Sequence, residues 1–192
     1  MNKILILYSG LKESQMFMNP YIDYLRSYLD VDHQYIDIRD SQSFDPRSLF
    51  EYNQLILVFM TTMNSVPSTT LEIFDKLESI DQPQLEVYAM IACDEYEPEK
   101  CSLSQRIVQN WCHRQKFQYK GCLCIGSALF ILQTYCKFLV ANNIKKFSNV
   151  IHENQEATLQ VSLLNERTFM KHANKYWKKE IKNYEKKLKK ES

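Results

Sequence analysis

KILILY, Lys3 to Tyr8, is an apolar run stopped by Ser9-Gly10. A strand with no polar face after its first residue is buried on both sides, the condition of an interior strand in a parallel sheet. Three more segments repeat the pattern: QLILVFM (Gln54 to Met60), EVYAMIAC (Glu86 to Cys93) and Tyr119 to Ile125, the last bracketed by Gly121 and Gly126. Gln34 to Ile38 reads as a further strand. It is followed by a polar connection, Arg39 to Asn53, with room for one short helical turn.

Between these strands the apolar spacing changes to three and four. Ser14 to Leu29 carries Phe17, Tyr21, Tyr24, Leu25 and Tyr28 on one face, and Pro20 predicts that this helix settles only near Asn19. Pro67 opens a second helix with Leu71, Phe74 and Leu77 as its buried stripe. Cys101 to Lys116 is a third, with Leu103, Ile107, Val108 and Trp111 facing inward. This alternation is that of a doubly wound sheet of five parallel strands with helices on both faces.

After residue 127 come a helix over Leu129 to Lys146, a half-exposed strand over Glu156 to Leu164, and an amphipathic helix over Asn165 to Lys190. The whole reads as a single domain, residues 1–192, with a core over 1–127 and a C-terminal extension over 128–192. The last helix presents Phe169, Tyr176, Trp177, Ile181, Tyr184 and Leu188. Two readings compete for it: docking on the sheet, or a basic amphipathic helix that binds acidic surfaces. Docking of its first half, with Phe169 and Trp177 buried, is the expectation, with KKLKKES beyond Glu185 fraying.

Composition narrows the classes. At 192 residues and 45% apolar, the chain has material for a sizeable core. No apolar run approaches the ~20 residues of a membrane span, and Ile4 to Tyr8 is too short for a signal core, so a cytoplasmic protein is expected. The six cysteines, Cys93 to Cys136, lack metal-site spacing. Cys122 and Cys124 share one face of a strand, so all six are read as free thiols without a metal. The net charge of +1 hides an asymmetry: Lys171 to Ser192 holds nine lysines and three glutamates, +6, leaving −5 on the rest. That basic end is read as a solvated helix whose lysines suit its C-terminal end, with no nucleic-acid partner.

Parallel sheets bind ligands beyond the carboxyl ends of their strands, at the switch in strand order. The loops to watch are therefore Ser9 to Gln15, Met60 to Val66 and Cys93 to Pro98. GxGxxG and Walker A patterns are absent. Cys93 beside Asp94 and Glu95 makes a poor nucleophile, and His113 faces away from Cys112. His33, His152 and His172 are isolated in sequence. No catalytic acid, base or nucleophile is assigned.

KILILYSGLKES, LILVFMTTMNSVPSTTLEIFDKL and EVYAMIACDEY, in that order, resemble the flavodoxin-like NAD(P)H-dependent FMN reductases and related quinone reductases. Ser65 and Pro67 stand where that family's third loop has its serine and proline, and Phe74-Asp75-Lys76-Leu77 matches its helix. Met60, Thr62, Asn64 and Glu72 depart from the pattern. The resemblance implies FMN, with Ser9, Ser14 and Gln15 on the phosphate. Thr61, Thr62, Met63, Asn64 and Ser65 would lie along the ring, and Asp94, Glu95 and Tyr96 at its far edge. It implies NAD(P)H and a quinone-like or other small soluble acceptor as partners. The alternative is a flavodoxin-like scaffold that has lost the flavin and serves as an interaction module. Met63, Val66, Phe130, Ile131, Tyr135, Phe138 and Leu139 supply more apolar surface than five strands require. A two-fold homodimer is the expectation they support.

Overall fold

The computed structural model describes residues 3–37, 45–78, 84–163 and 165–191. Six strands form one sheet in the order β2-β1-β3-β4-β5-β6: β1 (Ile4–Tyr8), β2 (His33–Asp37), β3 (Gln54–Met60), β4 (Glu86–Ala92), β5 (Gln118–Ile125) and β6 (Ala157–Val161). Every pairing is parallel. The strand read as part of the extension thus becomes a sixth member of the sheet, at its edge beside β5. Its alternating exposure fits that position. Residues 38–44 and Leu164 lie outside the described residues, and the rest of the connection before β3 holds one short helical turn, Pro46–Glu51.

Among the described residues the α-helices are α1 (Lys12–Tyr28), α2 (Ser68–Leu77), α3 (Ser102–Gln115), α4 (Lys137–His152) and α5 (Glu166–Glu191). Alternate residues of β1 divide between two cores. Ile4, Ile6 and Tyr8 pack with α1, α4 and the start of α5, whereas Leu5 and Leu7 pack with α2 and α3. Trp111 of α3 stacks on Phe74 of α2 at 4.2 Å and 10° and is 1% exposed.

Several helical expectations need correction. α1 begins at Lys12 and runs through Pro20, whose missing N–H falls on the exposed side of the helix. Leu71 and Leu103 are exposed. The stripes actually buried are Thr70, Ile73, Phe74 and Leu77 in α2, and Ser104, Val108, Trp111 and Cys112 in α3. The span expected as a helix from Leu129 starts with a loop and one short turn at Ile131–Gln133, because Phe130 and Ile131 insert into the core. Of the residues behind the dimer expectation, Val66, Phe130 and Ile131 are buried in the subunit itself. Met63, Tyr135 and Phe138 are exposed.

α5 departs most. It stays helical to Glu191, and Trp177 is 52% exposed. Among the described residues no helix is long and apolar enough to cross a membrane.

Gly121 lets β6 join the sheet. Its φ of +132° disfavours any side chain, and a Cβ there would sit 1.9 Å from the Ala157 carbonyl oxygen. Gly121→Ala is expected to cost at least the ~1–3 kcal/mol of a strained backbone and to expose β6, read by denaturant unfolding and amide exchange over 157–161. Trp111→Ala should cost about 3–5 kcal/mol. Trp177→Ala should cost below about 1 kcal/mol, reversing the sequence-based expectation, and the same melts measure both.

Candidate functional site

β1, β3 and β4 are neighbours in the sheet, so their parallel pairing delivers the three loops to one edge. The switch in strand order lies between β1 and β3, whose crossovers α1 and α2 pack on opposite faces. Backbone placement therefore agrees with the sequence reading. Side-chain placement differs from it.

In the first loop, the Tyr8 phenol points along the inside. Its hydroxyl donates to the Leu11 carbonyl at 2.7 Å and lies 3.0 Å from Ser14 Oγ, which itself donates to Leu11 at 2.9 Å. A Cβ on Gly10 would meet the phenol oxygen at 2.7 Å, so glycine is needed there to let the chain wrap the ring. Ser9 turns toward α2. It shares a 2.9 Å hydrogen bond with Thr70, and its carbonyl accepts from the hydroxyls of Thr69 and Thr70. Gln15 donates to the Asp37 carboxylate at the end of β2.

The second loop is a closed turn. Thr62 and Ser65 exchange backbone hydrogen bonds of 2.9 and 3.0 Å around Met63 and Asn64, both at positive φ. Met63 projects into solvent, 96% exposed. Thr61 is buried, its N–H given to the Ala92 carbonyl at 2.8 Å. The Asn64 Oδ1 is buried without a protein partner.

In the third loop, Asp94 is exposed and Glu95 partly buried, with its Oε2 unpartnered. Burial, and beyond it the adjacent charge of Asp94, raises the Glu95 carboxyl above its ordinary range. The Tyr96 carbonyl accepts from Ser162, and Gly126 has no Cβ where that carbonyl passes, 2.7 Å from the place one would occupy. The Tyr96 ring lies 5.9 Å from Phe169 of α5. Phe169 and Tyr176 both pack on Phe130, so α5 roofs this end of the edge. Tyr8, Phe130, Ser162 and Phe169 are the determinants the sequence reading missed. No local motif marks them.

The cavities follow from these contacts. One of about 310 Å³ lies between the first loop and α2, lined by Gly10, Lys12, Glu13, Thr69, Glu72 and Lys76. A groove of about 440 Å³ separates α1 from α5, with Phe17, Phe130, His172 and Tyr176 on its walls. Below Trp177 a smaller one of about 150 Å³ reaches Asp94 and Glu95.

Thiol chemistry finds no access. Cys122 and Cys124 sulfurs are 3.6 Å apart on one face of β5, as their spacing requires. Hydrogen bonds from Cys101 and Cys122 favour the Cys124 thiolate and lower its pKa, but Cys124 is 1% exposed. A nucleophile must reach its substrate. All six cysteines are free, and among the described residues no cluster could hold a metal ion.

No family model matches the chain, and no curated protein does. Solved structures do. The Fusobacterium nucleatum flavodoxin bound to flavin mononucleotide superposes with a TM-score of 0.61 at 14% identity, covering 81% of this chain and 100% of that one. Flavodoxin 1 from Bacillus cereus gives 0.59 at 15% identity over 81% and 100%. An NADPH-quinone reductase from P. pentosaceus gives 0.57 at 11% identity over 77% and 98%.

The side chains of the first loop do not fit the phosphate role that the resemblance implies for Ser9 and Ser14. A phosphate needs convergent donors, usually a nest of amides around a positive φ. None of residues 9–14 has positive φ, both serine hydroxyls are engaged, the Tyr8 phenol fills the loop, and Glu13 stands in the first turn of α1.

Because the Glu95 pKa is raised, ionising the group opposes folding. Stability from this group is fullest in acid and declines as pH rises from the ordinary carboxyl range through the raised value. Glu95→Gln should therefore raise the melting temperature at neutral pH, with the gain vanishing in acid, as followed by thermal unfolding across pH. By fold, the chain is a flavodoxin-like α/β structure.

Proposed function

We propose that this chain is a flavodoxin-like scaffold that works as an interaction module rather than through a bound flavin. The Tyr8 phenol carries the reading. It occupies the inside of the loop that would have to receive a phosphate, with its hydroxyl already bonded to Leu11 and next to Ser14. Emptying that loop would bury an unsatisfied carbonyl or expose an aromatic ring that is now 0% exposed.

The second reading is the one the sequence resemblance implies, an FMN-dependent NAD(P)H oxidoreductase acting on a quinone-like or other small soluble acceptor. Asn64 Oδ1 and Glu95 Oε2, unpartnered on the two ring-side loops, favour it. On that reading Thr61 to Ser65 and Asp94 to Tyr96 would hold the ring and FMN would supply hydride transfer. A single domain, a cytoplasmic location and a homodimer remain part of both readings.

Titration with FMN separates the two. A ligand that binds only the folded state adds about 2.7 kcal/mol of stability at a hundredfold excess over Kd. The scaffold reading expects a colourless purified protein and no thermal shift with excess FMN. A yellow protein, or a shift that saturates with FMN, overturns it.

A further inference from the structure

α5 is 26 residues long, about 39 Å at 1.5 Å per residue. Its first half is held against the body: Ala173 is buried, and Phe169 and Tyr176 pack on Phe130. Turned about a quarter of the circumference from that contact, Met170, Trp177, Ile181, Tyr184 and Leu188 follow one another at steps of seven, four, three and four. All five are exposed, Ile181 by 57% and Tyr184 by 64%. The side chains of Lys175, Lys178, Lys179, Lys182 and Lys186 are exposed on the rest of the helix.

Charge selects the occupant of this face. The segment from Lys171 carries +6 and the remainder of the chain −5. A second copy of α5 laid along the stripe would bring +6 against +6. It would also enclose the Trp177 N–H and Tyr184 hydroxyl in an apolar seam without water. An anionic bilayer offers both groups the headgroup boundary that Trp and Tyr favour, takes Ile181 and Leu188 into its acyl edge, and attracts every lysine within a Debye length.

We propose that α5 is an in-plane anchor for an anionic lipid surface, with the stripe from Trp177 to Leu188 as its inserted face. The acidic remainder, including Asp94 and Glu95 beside Trp177, is repelled by the same surface and stays on the aqueous side. This proposal rests on the reading of the chain as an interaction module and names its partner. The two fail separately, since FMN binding overturns that reading without touching vesicle binding, and absent vesicle binding leaves the FMN titration unchanged.

The test mixes the full chain with phosphatidylcholine vesicles, with or without phosphatidylserine, and follows flotation and tryptophan emission. Trp111 is buried in the core, so a blue shift reports Trp177. The expected result is flotation and a blue shift with phosphatidylserine vesicles only, both lost at high salt. Ile181→Ser with Leu188→Ser should abolish them at an unchanged melting temperature. Lys178→Gln and Lys182→Gln should each weaken partitioning about fivefold, the equivalent of ~1 kcal/mol per lysine. No flotation with phosphatidylserine overturns the proposal, as does equal flotation with phosphatidylcholine alone. A dimer in solution that Ile181→Ser with Leu188→Ser dissociates overturns it in favour of a second copy.

Discussion

All six strands run in one direction, so every loop that follows a strand leaves from one edge of the sheet. That edge carries free helix N-termini, strand-end carbonyls and the apolar ends of two cores, and none of these is stable against vacuum or bare hydrocarbon. Water, a ligand or the chain's own side chains must satisfy these groups. In this chain its own side chains do much of the work. Tyr8 fills the first loop, Thr62 and Ser65 seal the second, and α5 lays Phe169 and Tyr176 over the third.

These closures depend on one another through few contacts. Tyr8 can enter its loop only because Gly10 lacks a Cβ, and the third loop can approach β5 and Ser162 only because Gly126 lacks one. Tyr21 of α1 donates to the Ala128 carbonyl at 2.6 Å, tying the first helix to the segment that holds Phe130. Phe130 in turn seats α5. A chain of contacts therefore runs from α1 through the β5 loop to the C-terminal helix, and the roof over the edge is part of the α1/α4 core.

Much of the fold was legible because burial on both faces writes itself into composition. The runs at Ile4, Leu55 and Val87 have no polar alternation to misread, and five strands, their direction and the three loops follow. β6 was visible as a strand but not as a member of the sheet. Its alternation reports one wet face, which an edge strand and an isolated one share. The site was less legible. Periodicity assigns Tyr8 to a face, yet the decisive fact is how far a phenol reaches beyond the end of β1, and nothing in the spacing encodes reach. Serines 9 and 14 look like phosphate ligands in sequence and are hydrogen-bonded within the protein instead.

The C-terminal helix shows why an amphipathic pattern underdetermines its use. Its apolar arc spans Phe169, Ala173 and Tyr176 on one side and Trp177, Ile181, Tyr184 and Leu188 on the other, wider than one neighbour can cover. Read from the sequence, its first half docks with Trp177 buried and the end beyond Glu185 frays. The structure divides it at about Tyr176, where the body beneath it ends, and the lysines gather along the half that projects. Hydrophobic burial fixes the first half with no help from charge. In the second half an apolar face stays exposed to solvent, beside a charge opposite in sign to that of the body. The helix thereby joins two functions that need different solvents, closing the sheet edge at one end and presenting a cationic, aromatic surface at the other.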